Sequence, residues 1–192
     1  TGKSEKEGGI PHELGSTGFG VVESIKVASK HIGLNLKGAS CVIEGFGEVG
    51  TAVAKFLSES GVKIIAVSDS KGVIYNEKGI DVEELLKIKK KTGSVINYNG
   101  KKLEGEKLFE IETDILIPGA KPDVITEKNV NKIKAKIVAE AANIPMTEEM
   151  ERILHKKGIL VIPDILCNAG GIISSYVEYT NGKKEDAFKL IS

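Results

Sequence analysis

The feature that most constrains this chain is a glycine-rich hexapeptide, GFGEVG at residues 45–50, which joins a predicted strand to a predicted helix. The strand is the apolar segment 41–43, and the helix begins immediately after the second glycine. In this context Gly45 permits a tight turn, Gly47 has no Cβ to keep a pyrophosphate away from the backbone, and Gly50 lets the helix pack close to the strand. The free N–H groups of the helix then face the phosphates. The sequence therefore predicts a dinucleotide-binding turn.

Glu48 and Val49 are the first residues of this predicted helix and belong to the same candidate site. A carboxylate that faced the pyrophosphate would repel it. We therefore expect the Glu48 side chain to point into solvent.

An acidic residue stands where a dinucleotide-binding unit places one. Asp69 follows the predicted strand 62–67 and comes 19 residues after Gly50, near the spacing of about 20 residues at which an acid binds the adenosine ribose. Its carboxylate would accept both ribose hydroxyls and repel a 2′-phosphate, which favours NAD. Ser70 and Lys71 follow directly, and a hydroxyl with a cation can bind that phosphate, so NADP is the alternative. The other interpretation is that the glycines serve only packing and Asp69 is a turn residue.

Short apolar segments alternate with amphipathic segments along most of the chain. The predicted strands cover residues 41–43, 62–67, 114–117, 137–139 and 159–162. The predicted helices begin at Ser16 or Thr17, after Gly47, at Asp81, at Thr126, at Thr147 and near Asn168. Residues 93–113 are ambiguous, although a turn at 98–100 would suit a small hairpin. Apolar strands that alternate with helices indicate an α/β fold of the Rossmann type, a doubly wound, mostly parallel sheet with helices on both faces.

No repeat or linker divides the sequence, so we expect one dinucleotide-binding domain over residues 1–192, with an N-terminal segment 1–15 and a tail 180–192. The tail has the pattern of a weakly amphipathic helix that lacks a packing partner. The chain begins with Thr1, and both methionines lie in its second half. We therefore expect a processed protein or a piece of a longer one.

Charge and cysteine content narrow the classes of partner. The chain has 27 Lys and Arg against 27 Asp and Glu, and this balance argues against nucleic acid or a membrane surface bound by bulk electrostatics. No apolar run approaches the roughly 18 residues of a membrane-spanning helix. Cys41 and Cys167 lie among apolar residues, so we expect reduced, buried thiols in a cytoplasmic protein.

Several segments together resemble the glutamate/leucine/phenylalanine/valine dehydrogenase family, and within it most closely the glutamate dehydrogenases. They are STGFGV at 16–21, GFGEVG at 45–50, SDSKG at 68–72, DILIPGA at 114–120, EAAN at 140–143, VIPDILCNAGG at 161–171 and SSYVEY at 174–179. The resemblance implies oxidative deamination of an L-amino acid to a 2-oxo acid and ammonia, with a hydride passed to C4 of a nicotinamide. It also implies a large homo-oligomer in the parent protein.

The resemblance assigns further residues to the cofactor. The position of Thr17 binds the nicotinamide carboxamide, Ala120 lies along the cofactor, and Asn143 approaches the nicotinamide ribose. Asn168 stands where the ring meets the substrate. The alternatives are helix caps for Thr17 and Asn168 and a turn residue for Asn143.

Two residues are assigned to the substrate by the same resemblance. Ser175 stands where glutamate dehydrogenases place a hydroxyl that binds the side-chain carboxylate of the substrate, and Ile172 would line the substrate's methylene groups. A buried hydroxyl that faced a methyl group would lose its partner, so Ser175 favours L-glutamate. The alternative is a helix serine that bonds back to its own backbone.

No catalytic residue and no metal ligand can be assigned. Amine oxidation needs a general base and a cation, and the lysine and aspartate that supply them in this family belong to an N-terminal substrate domain absent from this sequence. His31 and His155 fall near predicted helix ends, whereas the role of His12, in the N-terminal segment, is left open. We expect this chain to be the cofactor-binding domain of a glutamate dehydrogenase and to be inactive on its own. The alternatives are a stand-alone dinucleotide-sensing or partner-binding module and the equivalent domain of a leucine, valine or phenylalanine dehydrogenase.

Overall fold

The apolar segments form a single seven-stranded sheet in the computed structural model, which describes Lys3, residues 9–11 and residues 15–192. The strands are β1 (Ser40–Glu44), β2 (Lys63–Asp69), β3 (Gly72–Tyr75), β4 (Lys101–Leu103), β5 (Ile115–Pro118), β6 (Ile137–Ala139) and β7 (Leu160–Ile162). Their order across the sheet is β4-β3-β2-β1-β5-β6-β7. All neighbours are parallel except at the β2-β3 and β3-β4 pairs, which are antiparallel.

Helices connect and cover these strands. They are α1 (Ser16–His31), α2 (Glu48–Glu59), α3 (Val82–Thr92), α4 (Glu148–Lys156), α5 (Asp164–Cys167), α6 (Gly170–Tyr179) and α7 (Lys184–Ile191). Short 3-10 helices cover Val95–Asn97, Gly105–Glu110 and Val130–Lys132. The chain runs from β1 outward to β2 and later returns to the other side of β1 as β5, so the strand order reverses between β1 and β5. The predicted doubly wound α/β fold of the Rossmann type is confirmed.

The core lies on both faces of the sheet because successive residues of a strand point to opposite sides. In β1, Cys41 and Ile43 pack with α1, α2 and α3, whereas Val42 packs on the opposite face with α4. All three side chains are fully buried. The central strands are therefore apolar throughout, which is why their sequence shows no alternation.

The helix predicted to begin at Thr126 does not form over residues 126–133. Asn129 accepts a hydrogen bond from the Thr126 N–H at 2.8 Å and donates another to the Val124 carbonyl at 2.8 Å. Such side-chain bonds offer the backbone an alternative to a helical ladder. The segment forms a turn that ends in the 3-10 helix Val130–Lys132.

Lys157 stabilises the irregular backbone that results. Its ammonium group donates hydrogen bonds to the carbonyls of Val130, Asn131 and Ile133, at 3.2, 2.8 and 3.0 Å. The donor comes from the residue directly after α4. One side chain therefore satisfies three carbonyl groups that a continued helix would have paired internally.

Three other local expectations are corrected. Gly15, with φ +78°, precedes α1, so neither Ser16 nor Thr17 caps that helix. The hairpin expected within 93–113 does not form there, because β4 pairs with β3, a strand from before α3. The helix expected from Asn168 begins at Gly170, and Asn168 instead ends the short helix α5.

The C-terminal tail does have a packing partner. Ala187 of α7 is fully buried, and the Phe188 ring lies edge-on to Phe19 of α1 with centroids 5.0 Å apart. Ile10, from the N-terminal segment, packs against Val177 and Ala187. Both ends of the described chain therefore meet at α6 and α7. Most of the segment expected at 1–15 lies outside the described residues.

Candidate functional site

The candidate site lies along the carboxyl edge of the parallel strands. Asp69 ends β2, and the segments after β1, β5, β6 and β7 bring Gly45, Ala120, Asn143 and Asn168 to the same edge in that order. Neighbouring strands are about 4.8 Å apart, so the span from β2 to β7 is roughly 19 Å. In open α/β sheets, ligands bind at this edge where the strand order reverses. An elongated ligand would fit such a row of loops.

The three glycines of the hexapeptide have different surroundings. Gly45 has φ +93°, and a Cβ placed there would lie 2.8 Å from the Cβ of Ala120. A Cβ on Gly50 would collide with the carbonyl oxygen of Gly45, whereas a Cβ on Gly47 would meet nothing within 4 Å. Gly45 and Gly50 are therefore required by the fold itself. Gly47 is not, and its bare backbone faces open space, as a phosphate-binding position requires.

Ser68 fixes the loop that contains these glycines. Its hydroxyl accepts a hydrogen bond from the Gly45 N–H at 3.0 Å, and its carbonyl accepts one from the Phe46 N–H at 2.7 Å. Ser68 belongs to β2, so the loop after β1 is attached to the neighbouring strand. Sequence reasoning missed this residue, because only the pairing of β1 with β2 brings it near Gly45.

The Asp69 carboxylate is held by its own chain. One oxygen accepts hydrogen bonds from the Lys71 N–H at 2.9 Å and the Ser94 hydroxyl at 3.0 Å, and the other accepts one from the Val95 N–H at 2.8 Å. Burial raises the pKa of Asp69, but these donors and the nearby charge of Lys89 outweigh burial, so the pKa lies below its usual value. The side chain is only 7% exposed. The two carboxylate oxygens therefore have little remaining capacity to accept hydrogen bonds from two ribose hydroxyls.

Lys89 is a second residue of this site that sequence reasoning missed. Its ammonium group donates to the Phe46 carbonyl, lies 3.6 Å from an Asp69 oxygen and stands 5.5 Å from the centre of the Phe46 ring. It projects from α3, a helix in which it is one of several lysines. The sequence contains no signal that separates Lys89 from its neighbours Lys90 and Lys91.

Glu44 braces the loop after β5. One carboxylate oxygen accepts the N–H groups of Gly119 and Ala120, at 3.1 and 2.9 Å. Burial raises the pKa of Glu44, although these two donors and the charge of Lys121 act in the opposite direction. The brace places Ala120 against Gly45, where the resemblance puts it beside the cofactor.

A cavity of about 950 Å³ opens over these loops. It gathers five of the predicted residues, which are Gly45, Gly47, Asp69, Ser70 and Ala120. Thr17 lies in a separate small pocket of about 50 Å³, which also contains Glu48 and Val49 of α2 and Gly171 of α6. Glu48 is exposed, as its expected orientation requires.

The last two predicted cofactor residues contact each other. The Asn168 amide donates to the Asn143 side-chain oxygen at 2.7 Å and approaches the Ala141 carbonyl at 3.4 Å. These contacts join the loop after β6 to the segment after β7. Asn143 and Asn168 therefore form one polar unit at the far end of the row.

The two predicted substrate residues lie on α6, which follows Asn168. Ile172 is 73% exposed, and Ser175 is half-buried one turn later. Neither residue lines the two cavities above. An exposed isoleucine at this place is available for contact with a ligand or another protein segment.

Among residues that the structure describes, no three His, Cys, Asp or Glu side chains are grouped to hold a metal ion. His31 and His155 are exposed in the last turns of α1 and α4, and His12 lies outside the described residues. Cys41 and Cys167 are free, buried thiols. None of the helices in the described part is both long and apolar enough to cross a membrane.

Comparison with known proteins identifies the family of this chain. The sequence model for Glutamate/Leucine/Phenylalanine/Valine dehydrogenase matches residues 8–189. A glutamate dehydrogenase from Aeropyrum pernix is 50% identical over 184 residues, which are 95% of this chain and 44% of the relative. An NADP-specific glutamate dehydrogenase from Saccharolobus shibatae is 47% identical over 199 residues, which are 100% of this chain and 47% of the relative.

A solved structure gives the same result for the fold. The hetero-hexameric glutamate dehydrogenase from Thermus thermophilus, in its Leu-bound form, superposes with a TM-score of 0.84 at 31% identity over 94% of this chain and 46% of that one. The chain thus spans less than half the length of the relatives it matches. It belongs to the glutamate/leucine/phenylalanine/valine dehydrogenase family.

Proposed function

We propose that this chain is the dinucleotide-binding domain of a glutamate dehydrogenase, and that the parent protein converts L-glutamate to 2-oxoglutarate and ammonia. The observation that carries the proposal is the bare Gly47 backbone at the floor of the large cavity, between the braced loops of β1 and β5. The fold needs Gly45 and Gly50 for its own packing, whereas no atom lies within 4 Å of a Cβ placed on Gly47, so the close approach of a phosphate is the strongest reason for a glycine there.

The residues of the chain fit a nicotinamide dinucleotide laid along the carboxyl edge. The N–H groups of the first turn of α2 would bind the pyrophosphate, and Asp69 would mark the adenosine end. Thr17, Asn143 and Asn168 would hold the nicotinamide end. When bound, the nicotinamide supplies the hydride acceptor, and the protein supplies its position.

We propose NAD as the cofactor, with NADP as the alternative. An acid at the end of β2 favours NAD because its charge repels a 2′-phosphate. In this chain, however, Lys89 lies 3.6 Å from that acid, and the acid already accepts three hydrogen bonds. Its negative charge is therefore partly compensated, and the S. shibatae relative is named as NADP-specific. The compensated charge would reduce the repulsion of a 2′-phosphate, and the name of this relative is a second reason to keep NADP as the alternative.

We propose that the isolated chain has negligible turnover. The resemblance places the lysine and aspartate for the chemistry in a substrate domain distinct from this dinucleotide-binding domain. Ile172 and Ser175 would then form one wall of the L-glutamate site, and that substrate domain would supply the other. We propose that the parent is a cytoplasmic homo-oligomer. The two free, buried thiols fit a reducing compartment, and the oligomer is what the family resemblance implies, although the T. thermophilus relative is named as a hetero-hexamer.

Titration of the purified chain with NADH and NADPH tests this function. The chain has no tryptophan, so the fluorescence of the reduced cofactor reports binding without interference from that residue. We expect saturable binding of NADH and no formation of NADH from NAD and L-glutamate. An absence of binding at millimolar cofactor would contradict the binding role, and robust glutamate oxidation would contradict the missing catalytic groups.

A further inference from the structure

A buried acid at the carboxyl end of β6 has no role in the site described so far. Glu140 is 2% exposed, and one of its carboxyl oxygens accepts a hydrogen bond from the Asp164 N–H at 2.9 Å. The other oxygen is buried and has no hydrogen-bond partner within the described residues. An unpartnered oxygen in such a place is costly when the carboxyl group is ionised and much less costly when that oxygen carries a proton.

Glu140 connects the two segments that hold the asparagine pair. It begins the loop that ends at Asn143 and Ile144, and its partner Asp164 is the first residue of α5. Asp164 in turn accepts the Ile144 N–H at 2.8 Å. Ile144 has φ +48°, an unfavourable conformation for a β-branched residue, so these bonds hold the loop in a shape it would not keep alone.

The groups that face Glu140 do not favour its ionised form. Glu151 on α4 and Asp164 on α5 are both acidic and raise its pKa, and the neighbouring Cys167 is a buried thiol. Burial is the largest cause, and the pKa of Glu140 rises to about 7 in spite of the bond from the Asp164 N–H. The group therefore changes charge within the physiological range.

We propose that Glu140 is a positioning residue, which carries a proton while the loop after β6 and the segment after β7 are closed on each other, and whose ionisation loosens the Asn143–Asn168 pair. It touches neither cofactor nor substrate in this scheme. It acts through the backbone of Asp164 and Ile144, which set where the two asparagines stand.

The consequence for the cofactor rests on the function proposed above. If the asparagine pair holds the nicotinamide end, NADH should bind most tightly where Glu140 is protonated. The dissociation constant should then rise several-fold between pH 6 and pH 8.5, because an ionised group must regain its proton before the segments close. The Glu140→Gln variant keeps an oxygen for the Asp164 N–H and cannot ionise, so its dissociation constant should stay flat.

Thermal unfolding gives a second readout that needs no cofactor. A carboxyl group whose pKa is raised on folding stabilises the protein fully below its unfolded value, 4.5, and this stabilisation is lost as the pH rises through about 7. The melting temperature of the wild type, measured relative to Glu140→Gln, should therefore fall between pH 5 and pH 8. A Glu151→Gln variant removes one neighbouring negative charge and therefore lowers the pKa of Glu140. The decline in melting temperature should then end at a lower pH and be smaller than in the wild type, without being abolished.

The outcomes separate the two proposals. Parallel melting curves for the wild type and Glu140→Gln across the whole pH range would refute the role of Glu140, whatever the cofactor does. A melting difference without any NADH binding would support the proton-dependent closure and refute the binding function. A pH-dependent dissociation constant that Glu140→Gln leaves unchanged would assign the titration to another group and also refute the proposal.

Discussion

Two alanine substitutions in the hexapeptide should separate the needs of the fold from those of the ligand. At Gly47 the backbone has φ −84° and ψ −158°, which alanine adopts without strain, and a Cβ would meet no atom within 4 Å. At Gly50 a Cβ would collide with the Gly45 carbonyl oxygen. We therefore expect Gly47→Ala to fold normally but to bind NADH more weakly, and Gly50→Ala to be destabilised.

The magnitudes follow from these surroundings. Replacing an N-cap glycine by alanine costs roughly 0.5–1 kcal/mol, and the reduced freedom of the unfolded chain returns about 0.4–1 kcal/mol. The melting temperature of Gly47→Ala should thus stay within about 2 °C of the wild type. Helix propensity alone would stabilise Gly50→Ala by about 1 kcal/mol. The collision should make Gly50→Ala less stable than the wild type in spite of this gain, because overpacking costs about 1–3 kcal/mol or more.

NADH binding, unlike stability, should be strongly affected by Gly47→Ala. A methyl group on Gly47 separates the pyrophosphate from the backbone N–H groups of the first turn, and each hydrogen bond to a charged group contributes about 1.5–3 kcal/mol. Loss of one such bond raises the NADH dissociation constant at least about tenfold. Calorimetric melting and NADH titration measure the two effects separately. Wild-type affinity in Gly47→Ala would refute the assignment of this glycine to the phosphate, and wild-type stability in Gly50→Ala would refute the packing argument.

Three further predictions concern other parts of the molecule. Lys89→Gln should weaken NADPH binding more than NADH binding, because it removes the cation beside Asp69; equal losses in parallel titrations would show that Lys89 acts only on the loop. Lys157→Met removes three bonds to backbone carbonyls and should lower the free energy of unfolding by about 1–3 kcal/mol, and a urea midpoint equal to that of the wild type would contradict this. Cys41 and Cys167 should resist a thiol reagent until urea is added, because burial raises the pKa of both thiols and excludes the reagent; rapid labelling of the native chain would show that the core opens.

The central part of the fold could be predicted from sequence because its signals are local. A buried strand, three glycines and a helix are adjacent along the chain, so their order gave the turn after β1. The helix prediction for residues 126–133 failed, and the reason for this failure is also local. The apolar spacing of these residues suits a helix, but Asn129 bonds the backbone of Thr126 and Val124 instead, and hydrophobic periodicity does not register that competition.

The surroundings of the site residues could not be predicted, because they depend on distant segments. Asp69 was identified from its spacing, yet Ser94 and Val95, which hold its carboxylate, come about 25 residues later. The bond from Ser68 to Gly45 and the contact of Asn143 with Asn168 likewise require the sheet order. A pattern in one segment gives the type of residue at a site, whereas the state of that residue depends on tertiary contacts.

The meeting of both chain ends at α6 has a mechanical consequence. The Ile10 N–H donates to the buried Glu178 carboxylate at 3.0 Å, and the Ile10 side chain packs on Val177 and Ala187. Ile10 is therefore attached to α6, the helix that carries Ile172 and Ser175. A force that displaces Ile10 would therefore act on α6, and so on the wall that Ile172 and Ser175 would form for the substrate.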